Sequence, residues 1–119
     1  MRNFRELEVW QEARILVKQV YRTTNSLPKS EKFGLASQIN RCSVSIPANI
    51  AEGCAKYSNK DFARFLQISL GSAYELETHL MLCEDLGFVS SHEISPVLEK
   101  IHRLQKRISS LIKYNKMSS

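Results

Sequence analysis

The sequence predicts an all-α protein, an antiparallel up-and-down four-helix bundle, and three observations lead there. Apolar residues recur at spacings of three and four through four segments of the 119-residue chain. No segment keeps the alternation of a strand. The breaks between segments are short, as in connections between antiparallel neighbours. With no internal repeat, low-complexity tract or linker, residues 1–119 read as one domain able to bury one core.

The first helix can begin at Asn3, where Glu6 has capping-box spacing, and run to about Asn25. Its apolar set, Val9, Trp10, Ala13, Leu16, Val17, Val20 and Tyr21, makes a face broad enough to want more than one neighbour. Ser26-Leu27-Pro28 breaks the chain. The second helix is expected from about Lys29 to Ala55, with Ala36, Ile39, Ser43, Ile46 and Ile50 inward.

Inside it lies the most informative run, Ser45-Ile46-Pro47-Ala48-Asn49-Ile50-Ala51-Glu52-Gly53. A mid-helix proline removes a donor and crowds the carbonyl four residues back, a cost of about 3 kcal/mol if uncompensated. Pro47 could instead open a fifth helix, but the inward spacing continues across it and favours one helix kinked at Pro47. Ser43, Ser45, Ala48, Ala51 and Gly53 predict tight packing, and Asn49 and Glu52 a specific polar contact.

Ser58 or Asn59 caps the third helix, which carries Phe62, Phe65, Leu66, Ser69, Ala73, Leu76, Leu80 and Cys83 inward and stops at Gly87. Gly71, in mid-helix, predicts close approach of another backbone, since glycine there costs about 1 kcal/mol relative to alanine. In this arrangement Glu75 can meet Arg41, and Asn49 can bridge polar atoms near the proline. A polar cluster fixing helix register is favoured over a ligand site.

The fourth helix starts between Ser90 and Ser95. Ser90 and Glu93 have capping-box spacing, while Pro96 suits a first turn set by Ser95. Ile94, Val97, Ile101, Leu104, Ile108 and Leu111 form its heptad seam.

Composition narrows function. No stretch approaches the roughly 20 apolar residues of a membrane span, and the chain's first residues lack the apolar core of a signal peptide, so a cytoplasmic protein is expected. Cys42, Cys54 and Cys83 form no Cys-x-x-Cys pair, and Cys42 and Cys54 would lie about 18 Å apart on one helix, so they read as packing residues. Glu99-Lys100-Ile101-His102 has Glu-x-x-His spacing, but a di-iron site needs a second such pair and two more inward carboxylates. No metal, cofactor, catalytic triad or phosphate loop is expected, and the chain reads as a non-enzyme.

The net charge is +5, unevenly placed. From Glu75 to Glu99 there are six carboxylates and no Lys or Arg; from Lys100 onward there are six Lys or Arg and no carboxylate. At about 100° per residue, Lys100, Arg103, Lys106, Arg107 and Lys113 fall opposite the apolar seam. Arg14, Lys18 and Arg22 recur every four residues on the first helix. Such stripes can neutralise phosphates of RNA or DNA, or serve as a solvated face. No aromatic platform is interleaved for base stacking. A protein-binding adaptor, using the acidic and apolar surface around Glu75 to Glu99, is the alternative.

Phe4-Arg5-Glu6-Leu7 with Trp10, the run Ser45 to Gly53, and Gly71-Ser72-Ala73-Tyr74-Glu75-Leu76-Glu77 together resemble a four-helix bundle family. That family is named after proteins encoded in intervening sequences of bacterial 23S rRNA genes. Its fold is similar to the accessory protein of diversity-generating retroelements, a ring-shaped oligomer that engages nucleic acid and a reverse transcriptase. The resemblance implies a homo-oligomer, a pentameric ring, with no established enzymatic activity. Its recurrent polar positions map onto Arg41, Asn49, Glu52, Glu75 and Glu77, while Asn40 stands where relatives often carry a second basic residue.

Overall fold

The computed structural model describes residues 2–117; Met1, Ser118 and Ser119, part of the expected 1–119 domain, lie outside the described residues. Four helices, α1 (Glu8–Asn25), α2 (Leu35–Cys54), α3 (Asn59–Asp85) and α4 (Ser91–Met117), pack as an up-and-down bundle, with each next to its chain neighbours and α1 closing on α4. No strand occurs among the described residues. The body measures 45 × 23 × 19 Å, its length set by the two 27-residue helices at about 1.5 Å rise per residue.

Two helix starts differ from expectation. Asn3 caps only a 3-10 turn over Phe4–Glu6, accepting from the Arg5 amide at 3.2 Å, and α1 begins at Glu8. Here Phe4 turns inward, meeting Trp10 edge-on with ring centroids 5.1 Å apart. Arg2 ties this segment to the far end of α2, donating to the Lys56 carbonyl and lying over the Phe62 ring. Lys29–Glu31 likewise form a separate 3-10 turn, and α2 begins only at Leu35, after Gly34. Polar residues without helical periodicity permit the tighter turn.

The other ends follow local chemistry. Ser58 Oγ accepts from the Asp61 amide at 3.0 Å, capping α3. Gly87, at φ +78°, ends it in a Schellman motif: its amide donates to Glu84 and that of Phe88 to Cys83. Ser90 and Glu93 form a complete capping box, each side chain accepting from the other's amide at 3.1 Å. This reciprocal pair outweighs Pro96, which sits inside α4.

Most of the expected inward residues fill one core, but Tyr21 is exposed and Trp10, Val17, Phe65 and Leu111 are only partly buried. Val9, Ala13, Leu16 and Val20 of α1 meet Ile39, Ile46 and Ile50 of α2, Phe62, Leu66, Leu76 and Leu80 of α3, and Ile94, Ile101, Leu104 and Ile108 of α4, all buried. The three cysteines are buried and free. α2 runs unbroken through Pro47, without a fifth helix.

Candidate functional site

The α2–α3 contact is built from small residues. A Cβ on Gly53 would sit 2.8 Å from Phe65 Cβ and 3.1 Å from Phe62 Cδ1, so only glycine lets α3 approach here. At Gly71 a Cβ would meet nothing within 4 Å, and the residue is exposed. The expected close approach therefore lies at Gly53. A periodic reading locates a mid-helix glycine but not the side it faces when neighbouring positions are polar or small.

Hydroxyls cross the same interface. Buried Ser69 donates to the Ile46 carbonyl at 2.9 Å, and Ser45 and Ser72 hydroxyls meet at 2.8 Å. Asn49 Nδ2 reaches back one turn to the Ser45 carbonyl (2.8 Å) and hydroxyl (2.9 Å). The bridge expected near Pro47 is therefore Asn49–Ser45–Ser72.

The five polar positions do not form one cluster. Arg41 and Glu75 line a shared recess of about 390 Å³ with Gln38, Cys42, Ser45 and Ser72, but among the described residues no ion pair joins them. Glu75 instead meets His79, one turn on, at 3.2 Å. Glu77 faces α4, accepting from Gln105 at 2.8 Å and meeting His102 Nε2 at 2.9 Å. These hydrogen bonds, from Gln105 first and then His102, hold its carboxyl below the usual value of 4.5. Glu52 is exposed on α2. Asn40 accepts from the buried Thr24 hydroxyl at 2.8 Å and so links α2 to α1.

The basic residues separate into two groups. Arg107 forks onto Glu8 and Glu12 of α1, and Arg103 lies 3.7 Å from Glu12. Two arginines one turn apart thus face two glutamates one turn apart, a match across antiparallel helices. The Glu8 hydrogen bond raises the Arg107 pKa further. Arg14, Lys18, Arg22, Lys100, Lys106 and Lys113 are exposed. Arg14 lies 5.5 Å above the Trp10 ring, whereas Lys100 borders the α1 side of α4 and Lys106 the α3 side.

Four antiparallel helices, with glycine and serine at the α2–α3 interface, define an all-α four-helix bundle protein. The model of the 23S rRNA-intervening sequence protein family matches residues 5–110, and the chain belongs to that family. A crystal structure of a protein of unknown function from the S23 ribosomal protein family, from Bacteroides thetaiotaomicron, superposes with a TM-score of 0.79 at 25% identity. The match covers 88% of this chain and 98% of that one. No curated protein matches the chain. Among the described residues no helix is long and apolar enough to cross a membrane.

Proposed function

We propose that this protein is a non-enzymatic, cytoplasmic, homo-oligomeric scaffold that binds structured nucleic acid, RNA first, through the outer faces of α1 and α4. The observation that carries the reading is the sorting of the basic residues. Arg107 is partly buried and engaged by Glu8 and Glu12 at the α1–α4 seam, whereas Arg103, 3.7 Å from Glu12, keeps its side chain 73% exposed. Arg14, Lys18, Arg22, Lys100, Lys106 and Lys113 remain exposed on two long helices. Exposed cations on rigid supports can neutralise phosphates without reading sequence.

Assembly is supported by apolar side chains left at the surface. Ile15, Ile68, Tyr74, Met81 and Leu82 are each 43–57% exposed. A ring of copies, as the family resemblance suggests, would cover part of this surface and multiply the basic faces, raising affinity through effective concentration. Light scattering at micromolar concentration tests assembly; a monomer overturns it.

Fluorescence anisotropy of a labelled structured RNA across a salt series tests binding. The log affinity should fall linearly with log salt, its slope roughly counting phosphate contacts. No binding at low salt overturns the nucleic-acid role and favours the protein-adaptor reading, with Met81, Leu82 and Leu86 exposed beside Glu84 and Asp85.

A further inference from the structure

We propose that Cys42, Glu75 and His79 form a site for a borderline-soft divalent cation, Zn²⁺ above all, between α2 and α3. The thiol sulfur, a carboxylate oxygen and an imidazole nitrogen all lie within 4.8 Å of one another. Ligands bound at about 2.0–2.3 Å in a tetrahedron stand roughly 3.3–3.8 Å apart, so the trio needs to close by about 1 Å. Glu75 and His79 already stand 3.2 Å apart, so the closing falls on the distances to Cys42.

The setting is graded from inside to outside. Cys42 is 4% exposed, the His79 side chain 15%, and Glu75 stands at the mouth. The recess beside Cys42 and Glu75 leaves room for water as a fourth ligand, with Arg41 at its edge to attract an anion in that position.

A second observation points to a missing partner. His79 touches Glu75 through Nε2, while its Nδ1 is buried with no hydrogen-bond partner. Leaving such a buried atom without a partner is unfavourable. A cation bound at Nδ1 would satisfy that atom, with Glu75 leaving Nε2 to become a ligand itself.

Burial and the Glu75 charge push the Cys42 thiol up to about 11, so without a cation it is protonated and a poor nucleophile. A divalent ion reverses this by displacing the thiol proton and balancing both anions. Glu99 and His102 supply the Glu-x-x-His spacing within α4. This trio instead combines Glu75 and His79, one turn apart on α3, with a cysteine 33 positions before Glu75.

Titration of the reduced full chain with Co²⁺, followed by absorbance, tests the site. Expected are a 1:1 endpoint, a near-ultraviolet thiolate-to-cobalt band, tetrahedral visible bands, and displacement of all of them by Zn²⁺. Cys42→Ser should abolish the thiolate band and Cys54→Ser preserve it. His79→Gln, which leaves the core intact, should weaken affinity by at least about tenfold. No thiolate band at saturating Co²⁺, or a band that survives Cys42→Ser, overturns the proposal. If Cys42→Ser does not fold, unchanged affinity in both His79→Gln and Glu75→Gln overturns it equally.

Discussion

The α2–α3 and α1–α4 interfaces solve the same packing problem with different chemistry. Between α2 and α3, Gly53 admits Phe62 and Phe65 at contact distance, and Ser69 and Ser45 make hydrogen bonds across the seam. Between α1 and α4, an apolar interior is flanked by Glu8, Glu12, Arg103 and Arg107, and an open recess of about 630 Å³ lies beside Leu7, Arg107 and Tyr114. The first interface fixes position through shape, which allows few substitutes. The second relies on long, solvated side chains that tolerate adjustment and respond to salt. The rigid seam is where the proposed cation ligands meet, and the adjustable one lies between the proposed phosphate-binding faces.

The sharpest way to break this contrast is Gly53→Ala. Its new methyl meets a Phe65 Cβ that cannot swing away, so the variant should lose about 1–3 kcal/mol in urea unfolding. Gly71→Ala should gain up to about 1 kcal/mol, because that position is exposed and only helix propensity changes. Equal effects at the two glycines would remove the distinction. Ser69→Ala should cost about 1 kcal/mol through its lost bond to Ile46, measured in the same way.

Glu77 adds a pH test at the α3–α4 seam. Its folded pKa lies below the unfolded value, so its contribution is fully present above the unfolded pKa near 4.5 and is lost as pH falls through the lower folded value. Glu77→Gln should flatten the acid limb of the stability profile; an unchanged limb would show that the carboxylate is not the group responsible. The smallest effect belongs to the α1–α4 ion pairs. Arg107→Gln should cost less than about 1 kcal/mol, shrinking with added salt, because its side chain and both glutamates are partly solvated. A large loss independent of salt would make that seam as rigid as its counterpart.

The bundle was legible because each helix buries a stripe of the expected period, and the α4 seam from Ile94 to Ile108 is buried throughout. Local signals also served at Ser58, Gly87 and the Ser90–Glu93 box, where cap and capped group are neighbours in the chain. Pairings between helices were less visible. The i, i+4 spacing of Glu8 and Glu12 matches that of Arg103 and Arg107, yet spacing alone does not say which helix supplies the partner. The same limit separated Glu77 from Glu75: two residues apart on a helix, they face different neighbours. It also concealed Cys42 beside His79, because proximity between helices depends on register.

Which cations are free to meet phosphate is measured most directly by one comparison of variants. RNA anisotropy across salt should be recorded for wild type, for Arg14→Gln/Lys18→Gln/Arg22→Gln, and for Arg107→Gln, whose arginine is engaged by Glu8 and Glu12. The triple variant should lose affinity and a salt slope of about one per phosphate contact removed, while Arg107→Gln should bind nearly as wild type. Unchanged binding in the triple variant, with loss in Arg107→Gln, would contradict the proposed role of the exposed cations.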